Sequence, residues 1–181
     1  MHPDEVETWK RALLRFREQK DEFMRHSRDS PFSHSDQAAF KGLRYFDPDP
    51  AFRFELKLLR YPAEGSAMMT TSKGTRQLFN SVGRFGFAVG GKQAQVTAYQ
   101  SAEREDPSLF IPFRDATSGK ETYGAARYLD MRVEHDDNYL LDFNYAYKPY
   151  CAYDEGYVCP LPPTENWLKV EVLAGEKKYH E

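Results

Sequence analysis

The sequence predicts a mainly β protein, an antiparallel barrel-like or rolled sheet with one N-terminal α-helix packed on it. Three observations lead there: a single long apolar stripe of helical spacing at the start of the chain, seven or eight later runs with strand character, and an aromatic stock of 12 Tyr, 13 Phe and 2 Trp concentrated in those runs. Half-buried rings pack well on a pleated surface. A two-sheet sandwich is the competing arrangement, and closure or rolling is favoured because it removes exposed strand edges.

The helix is placed over Pro3–His26, where Val6, Trp9, Leu13, Phe16 and Phe23 recur every three or four residues. Pro3 suits a first turn, Asp4 and Glu5 the positive end of the helix dipole, and Arg25 and His26 its negative end. Lys20 interrupts the stripe. Packing on a core is the ordinary use of such a face. Past Ser30-Pro31 the period changes to two, with Phe52, Phe54, Leu56 and Leu58 opposed to Arg53, Glu55 and Lys57. Further strands are expected over 67–71, 77–82, 83–89, 94–99, 126–133, 139–147 and 167–173. Gly90-Gly91 reads as a hairpin turn and Asp136-Asp137-Asn138 as another. After the second turn, between two strands, the segment rich in Tyr and Pro, from Tyr145 to Pro163, reads as a long stiffened loop able to cover a site.

A chain of 181 residues with no Pro/Gly/Ser-rich linker is expected to form one domain over residues 1–181, with a helix at 3–26 and a β domain at 40–177. The 25 Lys and Arg against 28 Asp and Glu leave a formal charge of -3 without a block of one sign, which gives a nucleic-acid or anionic-membrane partner no support. No run suits a secretion signal or a membrane span, so a cytoplasmic protein with a small-molecule partner is expected.

The polar focus is the stretch from Phe113 to Gly124. Arg114 and Lys120 bring positive charge, Asp115 and Glu121 bring acceptors, and Thr117, Ser118, Thr122 and Tyr123 bring hydroxyls. Arg114, Lys120 and Arg127 could together hold a carboxylate or phosphate, since guanidinium offers a planar fork and ammonium a movable point charge. The competing use is self-support, with Arg114 and Asp115 pairing with Asp142 and other groups to shape the turn. Arg127 shares a strand face with Leu129, Met131 and Val133, and Asp142 and Asn144 alternate with a bulky set, so these polar groups need partners in an interior.

Several chemistries lack their residues. Gly119-Lys120 is not a phosphate-binding P-loop, because Arg114 and Glu121 stand where that pattern needs Gly and Ser or Thr. Gly83, Gly86, Gly90 and Gly91 lack the dinucleotide spacing. His2, His26, His34, His135 and His180 all fall outside the polar loop, so no Ser-His or Cys-His pair is suggested. Cys151 and Cys159, the only cysteines, are half of a zinc site, and reduced packed thiols are their default; no metal or other cofactor is expected. Asp115 and Asp142 are the carboxylates that could act as acid or base.

Residues 112–124, with Arg127-Tyr128-Leu129, then 141–147 leading to Pro149 and Cys151-Ala152-Tyr153, then Cys159-Pro160-Leu161-Pro162-Pro163 with Asn166, and 174–177 carry a resemblance. Phe16-Arg17, Lys20-Asp21, Phe23, Gly42-Leu43 and Tyr45-Phe46 fit it too. The chain resembles the prokaryotic family called domain of unknown function 1684. The resemblance implies little about activity. Where that family's pattern has Gly-Gly-Gly-Arg this chain has Gly124-Ala125-Ala126-Arg127, and Lys148 stands in place of Asn.

The functional expectation is a small-molecule-binding β domain for an anionic ligand. Arg114, Lys120 and Arg127 would contact the anion, and Tyr123, Asp142 and Asn144 would orient it. The alternative is a hydrolase with Asp115 or Asp142 as general base and the same cations stabilising negative charge. A third reading makes the Tyr/Pro loop a contact surface for a partner protein.

Overall fold

The computed structural model describes residues 2–103 and 108–179, so His180 lies outside the described residues. Helix α1 runs Pro3–His26, with the His2 amide donating to the Glu5 carboxylate at 2.8 Å and closing the exposed first turn. A second, short helix that the sequence reading did not anticipate, α2 (His34–Ala39), starts where the Ser33 hydroxyl accepts the Asp36 amide.

Strand β1 (Arg53–Lys57) pairs antiparallel with β7 (Asn138–Asp142) in a two-stranded sheet. The other five, β2 (Leu59–Thr70), β3 (Arg76–Val89), β4 (Lys92–Ser101), β5 (Ser108–Phe113) and β6 (Arg127–Arg132), form one antiparallel sheet in sequence order. Its end strands, β2 and β6, do not pair, so the sheet is rolled and open, not a closed barrel. Register breaks between Arg60 and Gly65 on β2, and between Ser81 and Gly83 on β3, supply the bend. Both sheets enclose one core in which Phe143 is ringed by Phe54, Phe87 and Phe113 at centroid distances of 6.2, 5.2 and 5.3 Å.

Two of the expected connections change. The runs at 77–82 and 83–89 are one long strand, since Gly83 lies at a bulge and not at a turn. Gly90 and Gly91 do make the β3–β4 hairpin, both with positive φ, at 56° and 78°. The turn at 136–138 joins no paired strands, because β6 pairs with β5 while β7 pairs with β1.

The strand expected at 167–173 is the instructive miss. Leu168, Val170, Val172 and Ala174 are buried and Trp167, Lys169, Glu171 and Leu173 exposed, so the period of two is real, yet this extended strap joins no sheet ladder. It runs parallel to the segment after β5 through backbone bonds, the amides of Arg114 and Ala116 donating to the carbonyls of Asn166 and Val170 at 3.0 Å each and the Leu168 amide to the Arg114 carbonyl at 2.7 Å, and side chains add the rest. Asn166, fully buried, accepts the Thr97 amide at 2.7 Å and donates to the carbonyls of Thr97 and Pro112 at 2.9 and 2.8 Å. Asn166→Leu keeps the volume but orphans those groups, and a loss of about 2–3 kcal/mol in urea denaturation is expected. A loss under about 1 kcal/mol would mean that the strap is held elsewhere.

Candidate functional site

Asp115 opens the polar turn as an Asx cap, its carboxylate accepting the Thr117 amide at 3.2 Å and hydroxyl at 2.8 Å. The same carboxylate accepts Arg127 Nη2 at 3.2 Å and the Val172 amide at 2.8 Å. Arg127 in turn donates to the carbonyls of Val172, at 2.9 Å, and Ala174. Its side chain is 1 % exposed and that of Asp115 is 0 %. Burial pulls the Arg127 guanidinium below its ordinary pKa, and the facing Asp115 resists that. Both residues fasten the strap, and protein groups take up their polar atoms except Arg127 Nε, which is buried without a hydrogen-bond partner.

Asp142 and Asn144 act likewise. Asp142 accepts the Trp9 indole N–H at 2.7 Å and the Asn144 amide at 3.0 Å, which ends β7 in a 3-10 turn. Asn144 trades bonds with the Asp49 backbone at 2.9 and 2.8 Å. Together they tie α1 and the 47–50 segment to the core. Arg114 lies with its guanidinium 4.8 Å from the Trp167 ring centroid. Lys120 is exposed on the turn. None of these side chains lines the cleft beside α1.

What the fold does gather is a charged centre under α1 that the sequence reading missed. Glu176, 1 % exposed, ion-pairs with Lys20 Nζ and with Lys148 Nζ at 3.4 Å, and accepts the Lys148 amide at 2.9 Å. The Tyr153 hydroxyl donates to it at 3.3 Å. Lys148 also donates to the Lys177 carbonyl at 2.7 Å. Burial alone would raise the Glu176 pKa, but the two ammoniums outweigh it and hold it low. Burial brings Lys148 down to about 8, against the pull of Glu176. Beside them Arg17 spans the Phe46 carbonyl, at 2.9 Å, and the Tyr45 ring, 4.4 Å from its centroid. The available signal was Lys20 itself, a charge on the core stripe.

Glycine at 175 makes this centre possible. Its φ is +77°, and a Cβ there would stand 2.6 Å from the Ala146 carbonyl and 2.7 Å from that of Phe143. Gly175→Ala should cost roughly 2–4 kcal/mol from left-handed strain plus backbone collision. Thermal unfolding reads it directly, and an unshifted midpoint would show that the strap can move aside.

Above the centre, a cleft of about 620 Å³ separates α1 from the Tyr/Pro loop. Phe16, Lys20 and Phe23 form one wall and Tyr150 and Tyr157 the other, with Cys159 also lining it. Phe16 and Phe23 are 41 % and 38 % exposed, so two of the five residues of the predicted packing stripe are cleft wall, and the buried line of α1 is Leu13, Arg17 and Met24. Lys20 Nζ lies 4.8 Å from the Tyr147 ring centroid. Tyr123 stands behind the loop, its hydroxyl 3.8 Å from Cys151 Sγ, and burial first, then the sulfur, raises it to about 12. Cys151 and Cys159 pack in one cluster with Tyr128; the neighbouring thiol and the Tyr123 hydroxyl hold the Cys151 thiol below its ordinary range against burial, and Cys159 is pushed correspondingly high. Among the described residues no three of His, Cys, Asp and Glu come together to hold a metal ion, and no helix is long and apolar enough to cross a membrane.

Fold and site together define a mainly β protein in which an open rolled sheet is braced by an N-terminal helix over a buried ion-paired centre. The chain belongs to the family described as protein of unknown function (DUF1684), whose family model matches residues 38–177. It is similar to the uncharacterized protein of Haloarcula marismortui solved by solution NMR, at 36 % identity over 96 % of each chain, with a TM-score of 0.73. No curated protein matches the sequence.

Proposed function

We propose that the protein binds a small aromatic or apolar carboxylate in the cleft between α1 and the Tyr/Pro loop, with the carboxylate at Lys20. The observation that carries this reading is an uncovered aromatic cleft with an ammonium in its wall: Lys20 lines it between Phe16 and Phe23. Concave, mostly apolar sites with a few convergent polar groups are where small ligands bind. Charge complementarity supports an anion. Lys20 and Lys148 share the single carboxylate of Glu176, which leaves one positive charge in excess beside the cleft. The anionic ligand expected from the sequence is kept, and its site moves from Arg114, Lys120 and Arg127 to Lys20.

The test is isothermal titration with phenylpropionate and, as an uncharged control, its amide. The acid should bind and the amide should bind at least tenfold more weakly, the worth of one charge-assisted contact. Lys20→Met should remove that preference. Phe23→Ser, an exposed-wall change that leaves the core intact, should weaken both compounds. Equal affinity for acid and amide, or binding indifferent to Phe23→Ser, would overturn the reading.

A further inference from the structure

We propose that Cys151 and Cys159 form a redox-active dithiol that low-molecular-weight disulfides oxidise, with Cys151 attacking and Cys159 resolving. This goes beyond the cleft's ligand and does not depend on it. Both thiols are free, and they are placed asymmetrically: Cys151 is half-buried and Cys159 is 8 % exposed. A reachable nucleophile beside a sheltered second thiol is the arrangement such exchange needs.

The loop is built to bring them together. Ser72, in the β2–β3 turn, accepts the Cys159 amide on its hydroxyl at 3.1 Å and donates its own amide to the Cys159 carbonyl at 2.8 Å. Cys151 sits in the short 3-10 turn Tyr150–Ala152, with the Tyr123 hydroxyl 3.8 Å from its sulfur, and it packs in the same cluster as Cys159. A hydrogen bond aimed at a sulfur favours its thiolate, and the thiolate is the nucleophile.

In the first step the Cys151 thiolate attacks one sulfur of the small disulfide, forming a mixed disulfide and releasing one thiolate. The Cys159 thiol then gives its proton to water, and its sulfur attacks Cys151 Sγ, closing the protein disulfide and releasing the second thiolate. Two protein thiols are oxidised and one small disulfide is reduced to two thiols.

The reduced, folded protein is treated with bis(carboxynitrophenyl) disulfide, followed by absorbance and intact mass. Wild type should release two aryl thiolates per chain and end lighter by two hydrogens, with no adduct. Cys159→Ser should release one and retain one aryl group, and Cys151→Ser should react at least tenfold more slowly. Tyr123→Phe should move the pH midpoint of the Cys151 reaction upward. A wild-type product carrying two aryl groups, or Cys151→Ser reacting as fast as Cys159→Ser, would overturn the proposal, and the wild-type mass alone decides it without any variant.

Discussion

Arg127→Leu is expected to destabilise the protein by about 3–5 kcal/mol in urea denaturation, enough to leave a protein of ordinary stability barely folded. The change removes the guanidinium that pairs with the Asp115 carboxylate and strips donors from the Val172 and Ala174 carbonyls, all inside the core. Asp115→Asn should cost less, about 1–3 kcal/mol, because a neutral acceptor still serves Thr117 and Val172 while Arg127 loses its countercharge. Since both residues hold the same strap, the double variant should cost much less than the sum. In hydrogen exchange the Val172 amide should open first in either single variant. A loss under about 1 kcal/mol for Arg127→Leu, the figure for an exposed pair, would reject the fastening role and reopen Arg127 as a ligand contact.

That arrangement explains what could be read in advance. The long helix was legible in its stripe and termini, and the β3–β4 hairpin in Gly90-Gly91, because these signals are local. The alternation at 167–173 was legible as burial but misleading as a strand. Burial alternates in any extended segment laid on a core, while ladder membership depends on which backbone runs alongside. Here the neighbour is the start of the polar turn, whose backbone at Arg114 and Ala116 bonds the strap as far as Val170, and Asp115 and Arg127 supply the bonds at Val172. Their density of hydrogen-bonding groups looked like a ligand site for that reason: binding a strap and binding a molecule require the same chemistry. The centre at Glu176 was hidden because its members lie far apart, at 20, 148 and 176, and only the turn at Gly175 joins them. Phe16 and Phe23 sat on a stripe whose two halves meet different surroundings, a difference no periodicity records.

Lys148 makes stability rise with pH where most proteins are flat. Its folded pKa is about 8 against an ordinary 10.5, so between these values the unfolded chain holds a proton that the native state has released. Stability must then increase with pH over that interval, and roughly 3 kcal/mol separates its limits. Glu176 works at the other end: its folded pKa is lowered, so its contribution is complete above the ordinary carboxylate range and disappears as pH falls through the folded value. Tyr128 and Tyr147, raised first by burial, stay protonated in the fold while their unfolded counterparts ionise, so stability should fall again above about pH 10. Urea midpoints measured from pH 7 to 10.5 should therefore pass through a maximum near pH 9–10. Lys148→Met, which fills the same space without a charge, should be at least as stable as wild type at pH 7 and should lose the rising limb, because the ammonium is held there against its desolvation while Lys20 still pairs Glu176. Parallel pH profiles for the two proteins would mean that Lys148 is solvated in the native state, and the charged centre would then be an open part of the cleft floor.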